Sequence, residues 1–408
     1  MPAGSARHLV ALSLPPGEQF VEVAEAVWAD GGAILPLDPD APQDVVRRLI
    51  DELRPHAIVD AAGEHQLPSG VDVDGDLAVV IATSGSTGLP KGAELSRSAL
   101  EASADATAQR LGRDSSDRWL SCLPWQHIGG LQVWLRARSA GVPLEVQPRF
   151  DVDAVAATRA TLVSLVPTQL TRLLDAGVDL SRFRVILLGG AAAPAALLER
   201  ARAAGGQVVT TYGMSETCGG CVYDGVSLPG VEVVTAADDG RIRIRGPVLM
   251  NGYRLRPDLT EEVLVEGWLA TQDIGKFENG RLVVQGRLDD VIVSGGENIA
   301  GSAVAEVLSG HPDVREVEVT GVPDEEWGER LVAVVVAGER APTLEDLRRW
   351  VTAHVGSRAA PRALVLVPHI PRLSSGKADR LAVRALAQES SVGSEGYGSQ
   401  SASPPSIS

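Results

Sequence analysis

The sequence predicts an α/β protein with a large N-terminal domain, a small β-rich subdomain within it, and a compact α+β domain at the C-terminus. Three observations carry that reading. Apolar strand-like runs alternate with helix-like segments from the start of the chain to about residue 285, the pattern of layered α/β folds. The stretch GRIRIRGPVLMNGY, from Gly240, alternates at period two and reads as antiparallel strand. The run GRLDD, Gly286–Asp290, then breaks two apolar runs with charge and glycine, which marks a domain boundary.

Each element follows from its local pattern. LAVVIA, ending at Ala82, is a short apolar run and reads as a buried strand. ATLVSLVPTQLTRLLDAG reads as a strand, a proline turn and a helix; FRVILLGGAAAPAALLERARAAG reads as a strand, a glycine turn and a helix. QVVTTYGMSE is a strand running into a polar loop. Past the boundary come a helix in SAVAEVLSGHP, paired strands in REVEVTGV and RLVAVVVAG, a helix in TLEDLRRWVTAHV and a strand in ALVLVP. The predicted domains are therefore 1–286 and 287–388. The last stretch, 389–408, is rich in serine, glycine and proline, cannot offset the entropy of ordering, and is expected to be a disordered tail.

With 408 residues the chain has room for two domains and a large core. Its formal net charge of -16 argues against a sequence-independent grip on nucleic acid or an anionic membrane. No apolar run reaches the roughly 18 residues of a spanning helix, and the first twenty residues, broken by Pro15–Pro16, read as mature sequence. Three cysteines, Cys122, Cys218 and Cys221, make no disulfide framework and point to a reducing cytoplasm. Cys218 and Cys221 form CGGC, readable as a redox pair or half a zinc site, but more simply as small residues beside a pocket. A homo-oligomer stays open.

The run TSGSTGLPKG, Thr83–Gly92, follows the LAVVIA strand and contains nothing that fills a core. It reads either as a linker or as a cradle in which backbone N–H groups, hydroxyls and an ammonium meet phosphate oxygens. It is not a G-x-x-x-x-G-K-[ST] loop, because Gly92 follows Lys91. Four more polar stretches recur at strand ends: YGMSE (Tyr212–Glu216), GWLATQD (ending at Asp273), GRLDD and PRLSSGK (Pro371–Lys377).

Taken together, in this order, these motifs resemble the adenylate-forming superfamily of acyl- and aryl-CoA synthetases, nonribosomal adenylation domains and luciferases, over residues 75 to 388. The resemblance implies an adenylation domain, N-terminally abridged because the first motif starts so early, followed by a small mobile domain. It also implies the reaction: a carboxylate attacks the α-phosphate of ATP, and a thiol then displaces AMP from the acyl-adenylate. Catalysis of that kind is mostly positioning and fixed positive charge.

ATP, Mg²⁺ and CoA are the implied cofactor, metal and co-substrate. Thr83, Ser84, Gly85, Ser86, Thr87, Gly88 and Lys91 would hold the β- and γ-phosphates. Gly190, Tyr212 and Gly213 would lie at the nucleotide, with the tyrosine ring on adenine, and Ser215 would meet phosphate. Glu216 is similar to the magnesium-associated carboxylate, Asp273 to the acceptor of both ribose hydroxyls, and Arg287 to its neighbour on ribose. Lys377 resembles the lysine that bridges carboxylate and α-phosphate, and Asp289 the hinge. One departure stands in the ribose motif, where Gln272 replaces the usual glycine of T-G-D.

Within the superfamily, LPWQHIGGLQVWLRARSAG, LVSLVPTQLTRLL, LLGGAAAP and TYGMSETCGGCVYDG are most similar to the o-succinylbenzoate–CoA ligases of menaquinone biosynthesis. That implies a dicarboxylate whose second carboxyl group must be held. Arg136 is the expected anchor, against a surface arginine as the plain reading. His127 is expected near the attacking carboxylate, against a structural histidine. Gly189, Ala191 and Thr217 would wall the ring. The alternatives are a CoA ligase for another aryl or medium-chain acid, and a non-catalytic adenylate-binding protein.

Overall fold

A computed structural model describes residues 7–84, 90–372 and 378–392, with only the backbone at Ser84, Asp289, Asn298 and 390–392. The chain divides into two compact units, Met1–Val284 and Gln285–Ser408.

The first unit is built on three sheets. The first has seven strands in the order Gly252–Tyr253, Pro90–Ser96, Leu77–Ser84, Ala33–Pro36, Leu9–Leu12, Ala57–Asp60, Gly63–Gln66. Its four central strands are parallel, and all four residues of AILP are buried, as expected where helices cover both faces. The second sheet also has seven strands, with Val208–Met214, Val185–Leu188, Leu162–Leu165, Trp119–Ser121 and Leu144–Val146 running parallel. Gly219–Tyr223 turns back antiparallel beside Val208–Met214. The third sheet is antiparallel and centres on Arg241–Arg245 and Trp268–Glu278.

The proline in LVSLVPTQLTRLL starts the helix Pro167–Asp175 as its first residue, where a missing N–H costs nothing. GRIRIRGPVLMNGY divides. Arg241–Arg245 joins the antiparallel sheet as expected, but Gly252–Tyr253 leaves it to pair with Ala93 and Glu94 at the edge of the first sheet. The intervening glycine and proline, Gly246 and Pro247, end the first strand and let the chain change sheets.

Four aromatic rings join the helices Glu18–Ala29 and Ile128–Ala140. Phe20 meets Trp125 edge-on with centroids 5.1 Å apart, Trp125 stacks on Trp134 at 5.6 Å, and Trp134 stacks on Trp28 at 5.2 Å. The buried indole N–H groups are satisfied, Trp125 donating to Ser121 Oγ and Trp28 to the Ala78 carbonyl, both at 2.8 Å. This cluster fixes the segment leading to His127.

In the second unit, Val314–Asp324 and Gly328–Ala337 form a long antiparallel pair, with Ala363–Leu366 parallel to the latter. Thr343 and Asp346 close a reciprocal cap on the helix Leu344–Val355, the side chain of each accepting from the other's backbone N–H. The helix Arg380–Val392 corrects one expectation: Glu389–Val392, assigned to the tail, continue the helix. Val383 and Ala387, one turn apart, are buried and anchor it, so the next turn extends with little further ordering cost. The remainder of the expected tail lies outside the described residues.

Phe20 is 1% exposed within the aromatic cluster. Phe20→Ala is expected to lower the stability of the first unit by about 3–5 kcal/mol, read by denaturant unfolding; a loss below about 1 kcal/mol would mean that the cluster is not a packing centre.

Candidate functional site

Where parallel strands end, ligand sites form in the crevice beyond their carboxyl ends. The second sheet places His127, Gly189–Ala191 and Tyr212–Glu216 there, following Trp119–Ser121, Val185–Leu188 and within and after Val208–Met214 respectively. Two of these positions require glycine. A Cβ on Gly213 would stand 2.1 Å from the Gly219 carbonyl oxygen, and Gly190 has φ +82°.

Two hydrogen-bonded connections cross from this sheet to the others. The Tyr253 hydroxyl donates to Glu216 Oε1 at 2.6 Å, while Lys91 Nζ donates to the same hydroxyl at 3.2 Å and lies 4.4 Å from the ring centroid. The donor sequence ammonium, hydroxyl, carboxylate has one consistent direction, and cation–π attraction adds to it. Lys91 stands opposite Thr83 on the paired strand, and Thr83 Oγ1 donates to the Lys91 carbonyl at 3.3 Å. Toward the third sheet, Tyr212 OH donates to Asp273 Oδ2 at 2.8 Å. Burial first, and then the Asp273 carboxylate, push the Tyr212 hydroxyl far above its ordinary pKa, so it remains a donor.

The strand carrying Asp273 alternates buried and partly exposed residues, which explains the tolerance of Gln272: it faces away from the buried side that Thr271 and Asp273 share. Thr271 Oγ1 accepts from the Asp273 N–H at 3.0 Å and donates to the Ile242 carbonyl at 2.8 Å, fixing the carboxylate's backbone. Ser215, Glu216 and Thr217 form one 3₁₀ turn. The Thr217 hydroxyl is engaged with backbone, accepting from Met214 N–H at 2.9 Å and donating to the Gly219 carbonyl at 2.8 Å, so it shapes the wall from within.

The helix Ile128–Ala140 presents Gln132 and Arg136 on consecutive turns beside Gly219. Gln132 Nε2 donates to the Cys218 carbonyl at 2.9 Å. Gln132 Oε1 and Arg136 Nε are buried without a hydrogen-bond partner among the described residues, and no described carboxylate pairs with Arg136. Arg136 also borders a cavity of about 370 Å³ with Trp119, Val142, Leu162 and Arg184, at the amino ends of the parallel strands. The surface reading of this arginine does not hold, since it is 6% exposed.

Cys218 and Cys221 are buried free thiols; burial raises both, Cys221 to about 12, which leaves them protonated and unlike metal ligands. Among the described residues, His8, His56 and Asp72 form the one group spaced for a cation. The Leu9 N–H donates to His56 Nδ1 at 3.3 Å, so the neutral ring carries its proton on Nε2, which faces Asp72 Oδ1 at 3.0 Å. Burial and His8, whose ring stacks at 4.2 Å, lower the His56 pKa, with Asp72 opposing them. The arrangement is a structural hydrogen bond.

Gly85, Ser86, Thr87, Gly88 and Lys377 lie outside the described residues. Arg287 ends the strand Arg281–Arg287, and Asp289 lies in the turn Leu288–Asp290 of the second unit. Sequence reasoning missed Tyr253, which meets Lys91 from 162 positions away. A tyrosine directly after a strand glycine is the one signal available, and it is weak. It also missed Gln132, whose polarity inside a buried helix face was the available sign.

These features define an adenylate-forming enzyme. The chain belongs to the AMP-binding enzyme family, whose model matches residues 64–254, with the AMP-binding enzyme C-terminal domain matching 303–377. Its relatives include a probable 2-succinylbenzoate–CoA ligase of Mycobacterium tuberculosis, 43% identical across 78% of this chain and 87% of that protein. The 2-succinylbenzoate–CoA ligase of Bacillus cereus is 35% identical across 76% of this chain and 70% of its own length. Among solved structures, o-succinylbenzoate CoA synthetase from Bacillus subtilis in complex with its acyl-adenylate intermediate is 27% identical, with a TM-score of 0.83 over 92% of this chain and 88% of that one.

Tyr253→Phe removes the hydroxyl between Lys91 and Glu216 while keeping the ring. It is expected to lower kcat/KM for ATP by roughly tenfold to a hundredfold, the worth of hydrogen bonds to charged groups, with thermal stability little changed. An unaltered kcat/KM in steady-state assays would separate this connection from nucleotide chemistry.

Proposed function

We propose that this chain ligates o-succinylbenzoate to CoA using ATP, releasing AMP and diphosphate, through an acyl-adenylate. The observation that carries the choice of acid is the 43% identity to the mycobacterial 2-succinylbenzoate–CoA ligase over 87% of that protein. The acid's carboxylate attacks the α-phosphorus as the bond to diphosphate breaks; the CoA thiol then attacks the acyl carbon as AMP leaves.

Glu216 suits Mg²⁺: it is a hard oxygen donor on a short turn, and such an ion binds through one or two carboxylates beside substrate phosphates. When bound, the ion neutralises phosphate charge. The chain's own residues do the positioning. Tyr212 lies against adenine and donates to Asp273, which as a carboxylate has acceptor capacity for ribose hydroxyls as well. Ser215 and the Thr83–Lys91 segment, with Ser84, Gly85, Ser86, Thr87 and Gly88, hold phosphate oxygens, and Gly190 and Gly213 let the chain approach the nucleotide. Arg287 contacts ribose. Lys377 neutralises the attacking carboxylate and α-phosphate together, and the hinge at Asp289 allows the second half-reaction.

Arg136 anchors the second carboxylate. Its Cα is about 13 Å along the helix from His127 at 1.5 Å per residue, and helical side chains lean toward the N-terminus, toward His127. A buried guanidinium without a described counter-charge is costly, and a carboxylate satisfies it. His127 lies near the reacting carboxylate, and Gly189, Ala191 and Thr217 wall the ring. The three free thiols suit the reducing cytoplasm, where ATP and CoA are also available.

The direct test is thioester formation by mass spectrometry with ATP, Mg²⁺ and CoA, offering o-succinylbenzoate, benzoate and octanoate in parallel. Turnover of o-succinylbenzoate alone is the expected outcome; preference for another acid would overturn the assignment. Arg136→Ala is expected to cut turnover of the dicarboxylate by roughly a hundredfold, consistent with loss of a charge-assisted pair, and that of benzoate far less. Equal losses would remove Arg136 from the pocket. Lys377→Ala is expected to abolish adenylation while ATP binding, measured by calorimetry, stays nearly unchanged.

A further inference from the structure

Tyr253, which stands between Lys91 and Glu216, is followed by an arginine that the steps above leave unused. Gly252–Tyr253 pairs antiparallel with Glu94 and Ala93, and the Arg254 N–H continues the ladder to the Gly92 carbonyl at 2.8 Å. Side chains alternate across such a pair, so Tyr253 and Arg254 leave it on opposite faces. Tyr253 packs in the core cluster with Ala93 and Ile81, while Arg254 reaches the end of the helix Gln43–Leu53. Arg254 is 3% exposed, and its guanidinium is engaged mostly with backbone. Nε donates to the Leu53 carbonyl at 2.9 Å, Nη1 to the Asp72 carbonyl at 3.3 Å, and Nη2 to the Val71 carbonyl. Leu53 is the last residue of its helix, where unpaired carbonyls carry partial negative charge and favour a cation. Nη1 also donates to Glu94 Oε1 at 3.4 Å, and Glu94 lies on Pro90–Ser96, the strand that carries Lys91.

The segment 250–254 is fastened at both ends. The Met250 N–H donates to the Glu216 carbonyl at 2.9 Å, and the Asn251 N–H to the Glu94 carbonyl at 2.8 Å. The Tyr253 N–H donates to Thr260 Oγ1 at 2.8 Å. One end is thus tied to the turn that carries Glu216, and Arg254 ties the other to the first sheet and its helix. Leu255 comes next with φ +55°, a left-handed conformation that a leucine keeps only where its surroundings hold it. The chain is therefore pinned and turned at the residue after Tyr253. Where the tyrosine hydroxyl stands depends on where that backbone stands, and a misplacement of about 1 Å near reacting groups can cost a hundredfold in rate.

We propose that Arg254 is a positioning residue for the reaction: held by Leu53, Val71, Asp72 and Glu94, it sets the backbone from which Tyr253 reaches between Lys91 and Glu216. This rests on the reading of Glu216 and Lys91 given above, as groups that meet Mg²⁺ and phosphate. Arg254 stands on the far face of the strand, so its effect on ATP passes through the Tyr253 hydroxyl. Removing that hydroxyl then removes most of what Arg254 contributes to turnover, which a merely structural role does not predict.

The test compares Arg254→Met, Tyr253→Phe and the double variant in the full chain, reading kcat/KM for ATP with o-succinylbenzoate and CoA saturating. Arg254→Met is expected to lower kcat/KM by roughly tenfold in the otherwise unchanged chain. In the Tyr253→Phe background the same substitution is expected to cost less than about twofold more, as coupled residues require. A loss of folded enzyme would lower both backgrounds by the same factor, so the absorbed loss separates positioning from stability. Arg254→Lys carries the same expectation and serves if Arg254→Met does not fold, because it keeps the charge but lacks the planar fork that spans several carbonyls. Undiminished kcat/KM, or an equal factor in both backgrounds, overturns the positioning role. Tyr253→Phe at full activity overturns the reading of the Lys91–Tyr253–Glu216 connection and the role of Arg254 with it. A deficient Tyr253→Phe beside fully active Arg254→Met and Arg254→Lys overturns the role of Arg254 alone.

Discussion

The hydrogen-bonded chain from Lys91 through Tyr253 to Glu216 is the constraint around which the side of the site proposed for the nucleotide is arranged. Glu216 belongs to a turn at the carboxyl end of a parallel sheet, while Lys91 and Tyr253 belong to adjacent strands of another. A carboxylate and an ammonium brought together directly would neutralise each other and offer little to a ligand. A phenol between them keeps both charges near the same place and orients each. The Tyr212–Asp273 bond does the corresponding work toward the antiparallel sheet. Three sheets therefore meet at one crevice, and their mutual register is fixed by the same side chains expected to meet ATP.

That arrangement accounts for the rules the sequence obeys locally. Glycine falls at Gly213 because the neighbouring strand's carbonyl leaves no room for a Cβ. Threonine falls at Thr217 and Thr271 because each hydroxyl must accept one backbone N–H and donate to a carbonyl. These residues hold the functional side chains by saturating the backbone around them, as electrostatic catalysis requires, since its donors must be in place beforehand.

The alternation of buried strands and helices was legible because several parallel strands are short apolar runs ended by glycine or proline, as in VILLGG and LVSLVP. The motif residues Tyr212, Glu216 and Asp273 were legible for a different reason: polar groups at strand ends stand out against apolar neighbours. Tyr253 was not, because its meaning depends on Lys91, 162 positions away, and on a two-residue strand pairing that no local period reveals. The transfer of Gly252–Tyr253 to another sheet was hidden for the same reason. The burial of Arg136 was open to two readings, since a guanidinium on a helix usually faces water; only the packing of Trp119 and Gly219 beside it settles that it does not.

The two sides of the site differ in how they treat polar groups, and the difference bears on selectivity. On the side proposed for the nucleotide, the Tyr212 and Tyr253 hydroxyls and the Thr217 and Thr271 hydroxyls all have protein partners. On the side proposed for the acid, Gln132 Oε1 and Arg136 Nε are buried without one among the described residues. Saturation suits a ligand that every member of the family shares, because it fixes geometry without discriminating. An unsatisfied buried group discriminates strongly, because an acid that leaves it unpaired loses the full desolvation penalty of that group. On the proposed reading, selection of the acid falls to Arg136, whose charge makes the penalty largest, while Gln132 holds the Cys218 carbonyl beside it.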